Sequence, residues 1–152
     1  MKTFGNASVT SSSISDPSLA QTVAPDSRSL TLLFNALQAR DRGDATGRFA
    51  SASMECDVAL LGQGAAMLTV HARGGITGSS DSCFGVCRVQ VEATKVFLTL
   101  TATTGDLFGE LRIQLPSATE NIHVALLLLA SAGEDPVDEC VVALDSVDLV
   151  LS

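Results

Sequence analysis

The chain has 152 residues, with nine basic and seventeen acidic side chains that give a formal charge of −8. This length suits a single domain, and the negative charge argues against binding to nucleic acid. Hydrophobic residues make up 46% of the chain but aromatic residues only 4%, so the core must be built from aliphatic side chains. The longest apolar run, residues 124–130, is far shorter than the ~20 residues of a membrane-spanning helix, which argues against membrane insertion.

Residues 1–28 are rich in Ser, Thr and Pro and are predicted to form a polar arm that precedes one β-sandwich domain, residues 29–152. Such an arm needs a sheet to hold it, either the edge of its own domain or that of a neighbouring copy. The first residues include one Lys and no apolar run, so no secretory signal is expected there. A start at Met1 fits a protein that was never exported.

The first strand of the domain is predicted at residues 29–34, where Leu30, Leu32 and Phe34 lie on one side. Residues 35–48 are charged and predict a surface loop with one helical turn within residues 36–40.

Two further strands are predicted at residues 55–61 and 67–72. The Gly62-Gln63-Gly64 segment between them predicts a turn, so we expect these two strands to form a hairpin.

The longest β-patterned segment is residues 83–102. An apolar row ends at Ala93 and a second row begins at Val96, so the side-chain parity changes between them. Thr94 and Lys95 are therefore predicted to hold either a β-bulge or a tight turn.

The last third of the chain predicts three more strands. Residues 111–115 alternate, and residues 122–130 are apolar on both faces, which indicates a central strand or a subunit contact; a short helix is the competing interpretation. Residues 140–151 form the closing strand, with a parity change near Asp145 and Ser146. Seven or eight such strands predict an antiparallel β-sandwich or jelly roll.

The four cysteines are predicted to form two disulfides. Cys83 and Cys87 enclose a short loop that contains Gly85, and Cys56 and Cys140 would then pair by elimination. A four-thiolate metal site, free buried thiols and disulfides between subunits are the alternatives.

No catalytic, cofactor-binding or metal-binding residue is predicted, and the protein is not expected to be an enzyme. His71 and His123 lie inside β patterns and are expected to be half-exposed strand residues, and no G-x-S-x-G motif is present. The acidic residues 134–139 are expected to form a solvated turn, although their oxygens could bind Ca²⁺. The Arg42-Gly43-Asp44 tripeptide is expected to be a charged turn, and Asn6-Ala7-Ser8 matches a glycosylation sequon.

Three segments carry a family resemblance: residues 23–35 (VAPDSRSLTLLFN), residues 56–60 (CDVAL) and the closing segment 140–151. In these segments the chain resembles an uncharacterised family of small secreted proteins of fungi and bacteria, known only as a domain of unknown function. The resemblance implies an extracellular β-sandwich without known catalysis, and it assigns no site residues.

Two functional hypotheses follow from these patterns. In the first, the chain is a self-associating structural subunit of an extracellular filament, a surface layer or a virion (capsid or decoration protein), whose partners are other copies of itself. In the second, it is a small secreted module that binds carbohydrate or calcium through its end loops, residues 73–82 and 134–139.

Overall fold

A computed structural model describes residues 1–12, 18–35, 37–42, 49–62, 64–78, 83–92, 94–101, 106–132 and 139–152. Within these ranges the chain forms eleven strands and no helix long and apolar enough to cross a membrane. In chain order the strands are β1 (Thr3–Ser12), β2 (Ser18–Val23), β3 (Ser29–Asn35), β4 (Gln38–Asp41), β5 (Ala50–Leu61), β6 (Ala66–Gly78), β7 (Phe84–Val91), β8 (Thr94–Thr101), β9 (Asp106–Leu115), β10 (Asn121–Ser131) and β11 (Cys140–Leu151).

The strands form two sheets, and every pairing between described strands is antiparallel. The first sheet has the order β1-β5-β10-β7-β8, and the second has the order β2-β3-β11-β6-β9, with β4 added on β11. The prediction of an antiparallel β-sandwich is therefore confirmed. The N-terminal segment and β4 supply strands beyond the seven or eight expected.

The core lies between the sheets and is mostly aliphatic, as the composition requires, with Phe4 and Phe34 as aromatic members. On β10, Val124 and Leu128 point inward and are fully buried, whereas Leu127 and Leu129 point outward and are half-buried. Burial with a period of two excludes the helical interpretation of this segment. Because β10 lies between β5 and β7, the prediction of a central strand is confirmed.

Two local predictions are wrong. The strands β5 and β6 do not form a hairpin, because β5 belongs to the first sheet and β6 to the second. The connection that crosses between the sheets uses Gly62 (φ 94°) and Gly64 (φ 112°), a backbone conformation that favours glycine. Nor do the described residues of the predicted helical turn, 37–40, form one; residue 36 lies outside the described residues. Gln38–Asp41 is a strand, in which Ala39 and Asp41 are buried on one side while β11 pairs alongside.

Two predicted changes of parity have distinct structural causes. The first is a tight turn, since β7 and β8 form a hairpin in which Val91 pairs with Thr94, and Glu92 in the turn has a φ of 52°. The turn therefore lies just before the predicted Thr94 and Lys95. The second is a register shift in β11 between Leu144 and Ser146, as expected for a β-bulge.

The N-terminal segment is held by the chain's own sheets. The strand β1 forms the edge of the first sheet beside β5, and β2 forms the edge of the second sheet beside β3. Lys2 is fully buried, and its Nζ donates a hydrogen bond to the carbonyl of Pro116. This arrangement is one of the two alternatives for the arm; strand addition to a neighbouring copy stays a prediction.

Candidate functional site

One end of the sandwich is fastened by a disulfide between Cys83 and Cys140, whose Cα atoms are 5.2 Å apart. Cys83 precedes β7 of the first sheet and Cys140 begins β11 of the second, so this bond joins the two sheets. The predicted pairing of Cys83 with Cys87 is wrong. The two lie on one extended segment, about 13 Å apart, whereas a disulfide requires Cα atoms within about 7 Å.

Cys56 and Cys87 are buried free thiols, so the predicted pairing of Cys56 with Cys140 and the four-thiolate metal alternative are also wrong. Burial, together with the charge of Asp57, raises the pKa of Cys56 to about 11. Burial raises the pKa of Cys87 to about 12. Both thiols are therefore protonated at neutral pH and pack as small apolar side chains.

Of the two end segments expected to bind a ligand, the structure describes residues 73–78, which extend β6 rather than forming a loop, and Glu139, and these described parts meet at the disulfide end. Gly78 pairs with Cys140, and Glu139 forms an ion pair of 3.0 Å with Arg40. A cleft of about 250 Å³ is lined by Thr77, Gly78, Glu139 and Val141. Residues 79–82 and 133–138, which include most of the acidic turn, lie outside the described residues. Within the described ranges, no group of three or more His, Cys, Asp or Glu is placed to hold a metal ion.

Two exposed phenylalanines lie at this same end of the first sheet. Phe84 pairs with Ser131 of β10, and its side chain is 40% exposed. Phe49 is 63% exposed and directly precedes Ala50, which begins β5 and pairs with Ala130, so the backbone of Phe49 lies next to the end of β10 on the side opposite Phe84. The backbones of Phe49 and Phe84 therefore flank the end of β10, about two strand spacings, or ~10 Å, apart. We call Phe49, Ser131 and Phe84 the aromatic row.

The outer face continues from the aromatic row as an apolar strip, defined here as Ala125, Leu127 and Leu129 of β10 with Val86 of β7. These four side chains are half-buried, although they face away from the core. Leu129 pairs with Val86 on one side and with the exposed Ser51 on the other, so hydroxyl and apolar groups lie side by side.

Beyond the apolar strip, the outer face becomes polar around His123. The imidazole Nδ1 lies 2.7 Å from Asp57 Oδ1, and Glu92 Oε1 accepts a hydrogen bond of 2.7 Å from the backbone N–H of His123. The hydrogen bond to Asp57 is the main reason that the pKa of His123 is raised. The side chains of His123 and Asp57 are 40% and 41% exposed, so the expectation of a half-exposed strand histidine is confirmed.

The outer face of the second sheet carries a separate cross-strand network. Thr31 Oγ1 donates a hydrogen bond of 2.6 Å to Asp148 Oδ1, and Arg73 Nε lies 3.9 Å from the other carboxylate oxygen. On the same face His71 Nδ1 lies 3.7 Å from Glu110, and the His71 side chain is 27% exposed, as expected for a strand histidine. These pairs order the surface of this sheet, but they line no described cleft.

Only weak local signals in the sequence point to the aromatic row. Phe84 was part of the predicted Cys83–Cys87 loop, and Phe49 followed a charged loop without belonging to any predicted element. Their common position depends on the pairing of β10 with two strands that are distant in sequence. Of the Arg42-Gly43-Asp44 tripeptide, only Arg42 lies among the described residues, and it is exposed; Gly43 and Asp44 lie outside them.

No protein-family model matches this sequence, and no curated protein matches it either. The resemblance to a family of small secreted proteins therefore stays a prediction.

Three solved structures have a similar arrangement of strands. One is TmCBM61 in complex with beta-1,4-galactotriose, which is 13% identical, has a TM-score of 0.44, and is matched over 99% of this chain and 91% of that chain. CBM35 from Cellvibrio japonicus Abf62 is 15% identical with a TM-score of 0.42, over 80% of this chain and 92% of that chain. CBM35 from Paenibacillus barcinonensis is 15% identical with a TM-score of 0.28, over 97% and 98% respectively. Because these TM-scores are below 0.5, the similarity carries no argument about a ligand. The function proposed below therefore rests on this chain's own residues.

Proposed function

We propose that this protein is a non-catalytic β-sandwich module that binds a saccharide at the aromatic row. The observation that carries the proposal is the pair of exposed rings, Phe49 and Phe84, on either side of Ser131. An aromatic face carries partial negative charge and attracts the C–H groups that cover one face of a sugar ring. Two such residues, with backbones about 10 Å apart, suit an extended oligosaccharide that lies across the strands.

Polar groups near the two phenylalanines are suited to hydrogen-bond the hydroxyl groups of a sugar. A saccharide presents hydroxyl groups at the rim of each ring, and these need hydrogen-bonding partners. Ser51 is exposed beside the apolar strip, and the two end segments reach the same end of the sandwich. A neutral saccharide also suits a protein with a formal charge of −8 better than a polyanion does.

An extracellular location accompanies this proposal. The Cys83–Cys140 disulfide is the kind of bond that persists in oxidising compartments. An extracellular protein is also exposed to soluble polysaccharides.

The proposal is tested by binding to a panel of soluble neutral polysaccharides, measured by affinity gel electrophoresis and then by calorimetry with oligosaccharides of the best ligand. Replacing Phe84 with Ala or Phe49 with Ala should each weaken binding by about tenfold, equivalent to 1.4 kcal/mol. Both rings are exposed, so the fold should persist in the variants.

The matched control is Leu61→Ala, which removes a 57% exposed apolar side chain from the far end of β5. This variant should bind like the unmodified protein. Binding that survives the loss of both phenylalanines, or no binding to any polysaccharide of the panel, would contradict the proposal.

The second candidate is the self-associating structural subunit expected from the sequence. The observation that favours it is the apolar strip, because an apolar sheet face that remains half-buried gains stability when a second copy covers it. Light scattering over a concentration series tests this candidate, with Leu127→Arg as the variant that should abolish association. A mass that stays monomeric at all concentrations contradicts it and leaves the saccharide proposal intact. A filament, surface-layer or virion role stays a prediction.

A further inference from the structure

The edge of β1 that faces away from β5 is hydrogen-bonded to two residues of the β2–β3 hairpin, Ser27 and Gln21. The carbonyl of Ser27 accepts a hydrogen bond of 2.9 Å from the backbone N–H of Phe4. The side-chain amide of Gln21 makes two more bonds. Its Oε1 accepts from the N–H of Ala7 at 3.0 Å, and its Nε2 donates to the carbonyl of Gly5 at 3.1 Å. Three backbone groups along one stretch of the edge are therefore already bonded.

The Gln21 amide occupies the place of a strand residue. In a parallel sheet, one residue donates to the carbonyl before its neighbour and accepts from the N–H after it. Gly5 and Ala7 flank Asn6 in this way. These two groups face outward from the edge, so a strand added in either direction, parallel or antiparallel, would need them. A register shift between Phe4 and Ala7 further disturbs the edge at this point.

The backbone of Gln21 belongs to one sheet and its side chain contacts the other. Its backbone pairs with Leu32 in β3 of the second sheet, while its side chain crosses to β1 of the first sheet. The amide therefore joins the edges of the two sheets on the open side of the sandwich. Alanine at this position would keep the β2–β3 pairing but leave the Gly5 carbonyl and the Ala7 N–H without these bonds.

We propose that Gln21 is an autoinhibitory edge cap, which prevents a second copy of this chain from adding its own β1 edge to that of the first. An unpaired strand edge is a template for pairing with another chain. The occupant is a second copy because two identical edges can pair antiparallel about a twofold axis, with the same groups contributed by each chain. Ala7 pairs with Val58, about 30 Å along β5 from the aromatic row, so the edge and the saccharide site are separate.

The experiment compares the full chain with Gln21→Ala by hydrogen exchange and by light scattering over a concentration series. At low concentration, where the variant is monomeric, exchange at the Ala7 amide should become faster by on the order of tenfold, because its acceptor is removed. As the concentration rises, the variant should form dimers under conditions in which the unmodified chain remains a monomer, and the dimer should regain protection at Ala7.

Two further variants serve as controls. Thr22→Ala changes the exposed neighbour of Gln21 in the same strand and should alter neither readout. Gln21→Glu keeps an acceptor for Ala7 and places a negative charge at the edge, so it should protect Ala7 and remain monomeric. The proposal is overturned if Gln21→Ala stays monomeric at every concentration, or if Ala7 exchanges at an unchanged rate. Saccharide binding by the monomeric variant is measured separately and reports only on the aromatic row.

Discussion

At the scale of single residues, the Asp57–His123 pair links protonation to folding. The carboxylate of Asp57 accepts a hydrogen bond from Nδ1 of the protonated imidazole, which raises the pKa of His123 above its ordinary value of 6.5. Glu55 and Glu92 add to the rise through their charges. The folded state therefore binds a proton more tightly at His123 than the unfolded chain does.

We expect the free energy of unfolding to fall as the pH rises through the folded-state pKa of His123. The contribution of the raised pKa is fully present below the ordinary value of about 6.5, and it is lost as the pH rises through the folded-state pKa. Urea unfolding between pH 5 and pH 9, monitored by circular dichroism, should show this decrease, and Asp57→Asn should reduce it. If the stability of Asp57→Asn fell by the same amount over this pH range, the Asp57–His123 pair would not be its cause. The effect is modest because both side chains are partly exposed to solvent.

At the scale of elements, β10 organises the first sheet. It pairs with β5 over ten residues and with β7 over eight, and its inward side chains lie at the centre of the core. Its outward side chains form most of the apolar strip. One strand thus supplies the buried layer that stabilises the sheet and the surface on which both proposed functions depend.

Truncating a side chain on the inner face of β10 should lower the free energy of unfolding more than truncating one on its outer face. Leu128→Ala removes a fully buried side chain and leaves a cavity, so we expect a loss of about 3 kcal/mol in the free energy of unfolding. Leu129→Ala, on the outer face of the same strand, should cost no more than about 1 kcal/mol. Urea unfolding of the two variants gives the comparison, and equal losses would argue against the described orientation of β10.

At the scale of the whole molecule, the Cys83–Cys140 disulfide ties the sheets together across 57 residues of sequence. In the chain-entropy treatment, closing a loop of this length restricts the unfolded state and stabilises the fold by about 4 kcal/mol. Gly78 lies against this bond, since a Cβ there would collide with Cys83. The absence of a side chain at Gly78 therefore permits the close approach.

The double variant Cys83→Ser and Cys140→Ser should lose stability by about that amount. Addition of a reductant should destabilise the unmodified protein to a similar extent and leave the variant unchanged, which serves as the internal control. Mass spectrometry of peptides from the oxidised protein should find Cys83 joined to Cys140, with Cys56 and Cys87 reduced. A Cys83–Cys87 peptide would contradict the structure.

The sequence by itself determined the fold class and most of the strands. The alternation of Leu30, Leu32 and Phe34, and that of β11, predicted which side chains are buried, because the two-residue period of a strand is a local property of the chain. In β10, which is apolar on both faces, the pattern predicted a central strand but not which face is buried. The parity change near Ser146 likewise predicted the irregularity in β11 without knowledge of its partners.

Only the tertiary structure decided which distant residues come together. The same alternating pattern is compatible with many strand orders, so it could not show that β5 and β6 belong to different sheets or that Cys83 faces Cys140. The aromatic row and the contact of Gln21 with β1 depend on the same information. Both are produced by pairing between segments far apart in sequence, and such pairing is selected by the packing of the whole core rather than by any local pattern.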